Sequence, residues 1–347
     1  MPSSETSPIE TASKTITVRW FPTRGTPKDL SLFEIGPKLR SRRGLLWIDC
    51  ADPREFDAVL NHLPVDEFTR DNIKETGGRT KLTLSGGVYQ VPVFDCVLEN
   101  DNLHSEEITI AFATGWLFTA RMPRKSANPF PIGKVRQVFE IQRASHTMST
   151  VGLLLWSIAD TLLDRYFMVT SGIDDQLDDC EQSLLDDSSE STGRAAAEES
   201  KKQSIKLFVL GKSLIRFRHS ALPMRDVVAA IVRREVPFID KQAIIHFQDV
   251  SDHLLRINDF VESQRDVIAG LRDAELALTS NRLSLVQQKI AAWGALFLIT
   301  TLITGVMGMN FRDQPNMSWR WGFLATTGII LVIATPIYTF FRRREWI

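Results

Sequence analysis

The sequence predicts an α+β membrane protein: a cytosolic mixed α/β N-terminal domain, a long helical stalk and two C-terminal transmembrane helices. Three observations predict it. Uncharged apolar runs over 291–310 and 321–341 each hold about twenty residues, and at ~1.5 Å rise per residue this matches a hydrocarbon core of ~30 Å. Ahead of the first run, Phe247, Val250, Leu254, Ile257, Val261, Ile268, Leu271, Leu278 and Leu285 recur at helical spacing, with Gln264, Glu275 and Arg282 in the same register. Before residue 122, segments of β-type alternation are separated by glycine pairs.

Taken in order, residues 1–14 are rich in Ser, Thr and Pro and contain no apolar stretch, so they read as a flexible tail and not a signal peptide. Residues 15–131 form the cytosolic α/β domain. Its strands are ITVRWF, GLLWIDC, KLTLSG, VYQVPVFDCVL, EITIAFATG and WLFTARM. Turns fall at Gly77-Gly78 and Gly86-Gly87, and short helices at 52–61 and 66–76. This domain reads as a structural or regulatory body without chemistry of its own.

Three prolines and two basic residues over 123–131 mark a linker. Residues 132–236 then form a helical hairpin region. A helix over 132–143 precedes a long one over 151–185, which places Leu153, Trp156, Ala159, Leu163, Phe167 and Thr170 on one face. The turn is expected at 188–193 and a return helix at 195–222. The tip is acidic, from Asp174 and Asp175 to Asp186, Asp187 and Glu190, and a charge run of this kind is ordinarily a solvated face.

Pro237 breaks the chain, and a single helix is expected from 240 to 310, on the order of 100 Å long. It comprises the stalk (237–290) and the first span (291–310). An outer loop (311–320), a second span (321–341) and a basic tail (342–347) follow. Trp319 and Trp321 lie where indole rings favour the interface, and Arg342, Arg343 and Arg344 mark the cytoplasmic side. Two spans therefore put both termini in the cytoplasm. Ser284, Gln287, Ala291, Gly294, Leu298, Thr301 and Gly305 alternate by three and four, so they share one helix face. Two helices cannot enclose a path through lipid, so a pore requires several copies of the chain.

Composition excludes other classes. Lys+Arg 41 against Asp+Glu 42 gives a net charge of −1, with no global field for nucleic acid. Cys50, Cys96 and Cys180 are far apart and form neither a disulfide framework nor a thiolate zinc site. Gly211-Lys212-Ser213 resembles the end of a phosphate-binding loop, but Lys206 stands where that motif requires glycine. No catalytic triad, metalloprotease or dinucleotide motif is present, so neither an enzyme nor a catalytic cofactor is expected.

A first span closing on Gly308-Met309-Asn310-Phe311, a short loop with Pro315 and Trp319, a second span and a basic tail resemble the CorA family of divalent-cation transporters. The resemblance extends upstream through FQDVSDHLLRINDFVESQRDVIAGL and, more loosely, LLLWSIADTLLDRYF. It implies a homopentamer in the cell (inner) membrane that carries a divalent metal ion inward, driven by membrane potential and gated by cytosolic metal. Gly308, Met309 and Asn310 would form the entrance filter, where amide oxygens hold a hydrated ion through its water, which suits Mg²⁺ because it dehydrates reluctantly. Thr301, Gly294 and Leu298 would line the pore, with Ser284 and Gln287 at its cytosolic mouth. Asp249 falls where relatives place a regulatory metal ligand; Asp252 and His253 are beside it, and Asp95, Glu99 or Asp101 would supply the partner acid. The acidic hairpin tip would offset the ring of Arg342, Arg343 and Arg344. Ser284 replaces a common second asparagine, and the loop lacks the usual acid after its proline. The ion therefore stays open between Mg²⁺ and Zn²⁺, Co²⁺ or Ni²⁺, with proton coupling as an alternative. A membrane-anchored scaffold or binding protein is the rival from a different class.

Overall fold

The computed structural model describes residues 15–41, 43–122, 128–145, 150–190, 194–309, 321–344 and 346. They fall into two compact units, Met1–Asp187 with Ser191–Ala269, and Ser188–Glu190 with Gly270–Ile347.

The first unit is built on one mixed sheet. Its strands are β1 (Ile16–Pro22), β2 (Lys28–Asp29), β3 (Gly44–Cys50), β4 (Thr83–Ser85), β5 (Val88–Glu99), β6 (Asn102–Ala113) and β7 (Trp116–Arg121), in the order β2-β1-β3-β7-β6-β5-β4. All neighbours pair antiparallel except β3 and β7. Three short helices, α1 (Ile35–Ser41), α2 (Phe56–Leu60) and α3 (Glu67–Lys74), accompany the sheet. Ile35, Phe56, Val59 and Ile73 from them join Ile48, Ala111 and Phe118 from the strands in one apolar core. A side chain at Gly44 would drive its Cβ into the Phe21 carbonyl, so β1 and β3 approach too closely there for any other residue.

Sequence patterning starts β6 at Glu107, whereas the strand begins five residues earlier. The reason is the two-residue turn at Asn100 and Asp101, both left-handed (φ 49° and 63°), which pairs Glu99 with Asn102 and carries the polar NLHSE segment into the ladder. β2, α1 and the short helix α7 described below were also not foreseen. They are too short to develop a period.

The helices are α4 (Ile132–Ser145), α5 (Val151–Glu190), α6 (Arg194–Ala221), α7 (Met224–Val232), α8 (Lys241–Met307) and α9 (Gly322–Arg343). Ser188, Ser189 and Glu190, expected in a turn, are helical. Gly211-Lys212-Ser213 lies inside α6, with no strand before it, so no phosphate loop forms. Asp240 stops the chain ahead of α8 by accepting the Ala243 N–H at 2.8 Å, a capping bond that satisfies an otherwise orphaned donor.

The hairpin does not form a domain apart from the sheet. α6 packs over β5 and β6. From α5, Tyr166 donates its hydroxyl to the Phe94 carbonyl at 2.7 Å, and Arg165 forks onto Asp95 at 2.9 and 3.0 Å. The first part of α8 joins the same unit: Phe247, Val250, Leu254, Ile257, Val261 and Ile268 are buried. Polar ties flank that stripe, with Gln264 donating to Asp174 at 2.7 Å and Arg218 paired to Glu262 at 2.9 Å. The upstream heptads are thus satisfied within one chain. Beyond Gly270 the register continues, yet Leu285 is 57% exposed.

Candidate functional site

The second unit carries two helices long and apolar enough to cross a membrane, the C-terminal part of α8 and all of α9. Helical geometry sorts the positions of α8 beyond residue 283 into faces. At 3.6 residues per turn, Ser284, Gln287, Ala291, Gly294, Leu298, Thr301 and Gly305 fall on one strip, and every one is exposed. About 120° away, Gln288, Ala292, Ala295, Leu296, Ile299, Thr300 and Ile303 are the more covered positions, with Ala292 only 1% exposed. The remaining surface holds bulky apolar groups, including Trp293 and Phe297, whose rings stack at 6.1 Å. The helix thus has one covered face, one bulky apolar face and one narrow strip of small and neutral polar groups interrupted by Leu298.

The strip has specific chemistry. Thr300 and Thr304 turn their hydroxyls back to the carbonyls of Leu296 and Thr300, at 2.9 and 3.0 Å. Thr301, on the strip, makes no such bond among the described residues, so its hydroxyl is available to whatever faces it. Neither Gly294 nor Gly305 has an atom within 4 Å of where a side chain would begin. Neither described span contains Asp, Glu, His or Cys between residues 291 and 341. This chemistry suits neutral oxygens meeting a solvated ion better than direct capture of a bare transition metal.

At the end of α8 the chain leaves the helix. Gly308 donates to Thr304 at 2.9 Å and Met309 to Val306 at 3.3 Å. Asn310 and the loop 311–320 lie outside the described residues; of the residues expected to form an entrance filter, only Gly308 and Met309 are described, and Met309 is 52% exposed. Arg342 and Arg343 close α9, and Arg344 caps it, with its guanidinium 5.6 Å from the Phe340 ring centre.

In the first unit, Asp249 and Asp252 are exposed on α8, and His253 Nε2 lies 3.5 Å from Asp249. His253 packs edge-on against Phe167, with ring centres 5.5 Å apart. Sequence reading missed their neighbour Asp160 on α5. Burial, then the charges of Asp164 and Asp249, raise its carboxyl above the usual aspartate range, while Lys134 and His253 pull the other way. Lys134 in turn holds Asp164 at 2.6 Å. Asp160 occurs in SIADTLLDRYF, where an acid on an otherwise apolar helix face was the available signal.

The three proposed partner acids are engaged elsewhere. Asp95 is 1% exposed and bound to Arg165; Glu99 accepts the Asn128 N–H at 3.1 Å; Asp101 accepts from Gln176 at 2.8 Å. Among the described residues, no three His, Cys, Asp or Glu side chains are grouped to hold a metal.

Comparison with known proteins places this architecture. Over 213 residues the chain is 30% identical to the cobalt/magnesium transport protein CorA of Thermotoga maritima, a match covering 61% of this chain and 58% of that relative, so little over half the relative's length is spanned. The zinc transport protein ZntB of Yersinia pseudotuberculosis is 22% identical, with 87% of each chain covered. The complete structure of the CorA magnesium transporter from Methanocaldococcus jannaschii superposes with a TM-score of 0.78 at 20% identity, covering 97% of this chain and all of that one. Residues 42–343 match the family model described as CorA-like Mg²⁺ transporter protein, and the chain belongs to that family.

Proposed function

We propose that this chain is the subunit of a homo-oligomeric membrane channel that carries divalent metal cations, Mg²⁺ or a close relative, into the cytosol. The exposed strip from Ser284 to Gly305 is the observation that carries the reading. A helix that served only as an anchor would present lipid with bulky apolar groups on every uncovered face, and this one keeps six of the seven positions of one face, all but Leu298, for small and neutral polar groups. Several copies arranged with those strips inward would line a passage, with five as the number the CorA resemblance suggests. Asn310 of each copy would present its amide oxygen to the ion's water at the outer entrance, beside Gly308 and Met309.

Membrane potential supplies the drive. About 100 mV, inside negative, is worth ~2.3 kcal/mol per charge and ~4.6 for a divalent ion, enough for a gradient of roughly a thousandfold. Cytosolic metal closes the passage by binding at Asp249, with Asp252 and His253 close by. The pairing of Asp249 with His253 and the charge-crowded Asp160 beside them support a local demand for a cation.

The ZntB relative gives specific grounds for Zn²⁺ as a second reading, with proton coupling, and the same passage would serve Co²⁺ or Ni²⁺. Uptake of Mg²⁺ and of Zn²⁺, assayed separately in proteoliposomes with an inside-negative potential, decides between them. Flux present in wild type and abolished in Asn310→Ala upholds the channel, and the preferred ion names the cargo. An intact oligomer that passes no divalent ion would leave a membrane-anchored scaffold instead.

A further inference from the structure

We propose that the first unit binds an organic polyphosphate, of the nucleotide class, in a basic cleft formed by the loop ahead of β4, the end of α6 and α7. The cleft has a volume of about 990 Å³. That is at the upper end of the range for small-ligand sites and far larger than a lone phosphate requires. Five side-chain cations line it, Arg79, Lys81, Arg218, Arg225 and Arg233, against two carboxylates, Asp226 and Glu235.

Two of those cations are already satisfied. Arg218 is paired with Glu262 at 2.9 Å and Arg233 with Glu235 at 3.0 Å. Among the described residues, Arg79, Lys81 and Arg225 have no carboxylate within ion-pair distance, although each is exposed and a surface cation readily finds an acid in a chain this rich in them. Three cations without an ion-pair partner among the described residues, set against the one carboxylate likewise unpaired there, Asp226, leave the concavity net positive and focus a positive potential in it.

A second observation, independent of charge, points to the same place. Thr80, between Arg79 and Lys81, is 6% exposed, and its Oγ1 is buried with no hydrogen-bond partner among the described residues. A buried hydroxyl without a partner is uncommon, because desolvation without a compensating bond is unfavourable. Thr80 lines the cleft, and a phosphoryl oxygen is an acceptor that would satisfy its O–H.

The remaining lining explains why the ligand is organic. Leu82, Phe94 and Leu222 are half-buried in the wall, and Val227 and Ala230 are buried behind it. Charged donors at one part of the cleft and apolar surface at another fit a molecule with a phosphate chain and a ring. The phosphates take Arg79, Lys81, Arg225 and the Thr80 hydroxyl, and the ring takes Phe94 and Leu222. None of these residues belongs to the membrane spans or to the Asp249 cluster, so the inference stands apart from the ion path.

Equilibrium dialysis of the purified full-length protein against labelled ATP, with inorganic tripolyphosphate and adenosine as competitors, tests it. Saturable binding is expected, displaced by tripolyphosphate and weakened as salt rises. Arg79→Ala and Arg225→Ala should each weaken it by about tenfold or more, in keeping with lost charge-assisted bonds. Thr80→Val, which keeps the side chain's volume, should weaken it by about fivefold. The proposal is overturned by ATP that does not saturate, or by saturable binding that Arg79→Ala and Arg225→Ala leave unchanged. Displacement by adenosine but not by tripolyphosphate counts equally against it.

Discussion

Buried polar groups decide the first unit's stability at the level of single residues. Asp95 and Arg165 face each other at 1% and 7% exposure, and Arg165 also donates to the Asn128 carbonyl at 2.8 Å. Removing one partner strands the other charge, so Arg165→Met should cost about 3–5 kcal/mol in denaturant unfolding, and Arg165→Met combined with Asp95→Leu should restore much of it. The cysteines behave in the opposite sense. Burial pushes the Cys50 thiol up to about 11 and raises Cys96 and Cys180 as well. All three should therefore resist alkylation at about pH 8 until the chain is unfolded, as mass spectrometry would read. Asp66 caps α3: hydrogen bonds from Thr69 hold its carboxyl below the usual 3.8. A depressed carboxyl stabilises the fold above its unfolded value and loses that contribution as pH falls through its lower folded value. The advantage of wild type over Asp66→Asn should accordingly be present near neutrality and vanish in acid, in thermal melts taken across pH.

At the scale of elements, α8 separates what patterning reveals from what it hides. Its length, its start at Asp240 and both spans were legible, because a sustained period and an uncharged run each reflect one dominant force, burial. Which surface the heptads meet was not legible. Phe247 to Ile268 pack within the chain, while Leu285 continues the same register into the open, and spacing is identical in both cases. The acid pairings were equally hidden, because Asp95, Glu99 and Asp101 sit in strands and a turn whose partners are distant in sequence: Arg165 and Gln176 on α5, and Asn128 in the segment ahead of α4. The strip of α8 makes a prediction at this scale. A Cβ at Gly294 meets nothing within 4 Å in one copy, so Gly294→Ile should leave insertion and folding intact and reduce flux by about tenfold or more by narrowing the passage. Ala292→Phe, on the covered face, should instead destabilise the spans by about 1–3 kcal/mol, seen as loss of monodisperse protein in detergent.

For the whole molecule, the apolar surface left open on both spans sets the expectation. Phe297, Leu298 and Leu302 are 66–70% exposed, and Phe323 is 83% exposed. Light scattering in detergent should give a protein mass several times the 39.3 kDa of one chain. Uptake should rise with an imposed inside-negative potential and be indifferent to a proton gradient at zero potential; the reverse pattern would favour the coupled importer. The strip also has a genetic consequence. In the channel proposed above, each chain would contribute one stave of a barrel, so a faulty stave would spoil every barrel that includes it. If a single Gly294→Ile subunit is enough to block passage, cells making both alleles keep only the fraction of assemblies drawn wholly from the good one, f raised to the power n. Such an allele would act as a dominant poison, and the curvature of activity against mixing ratio would count the staves.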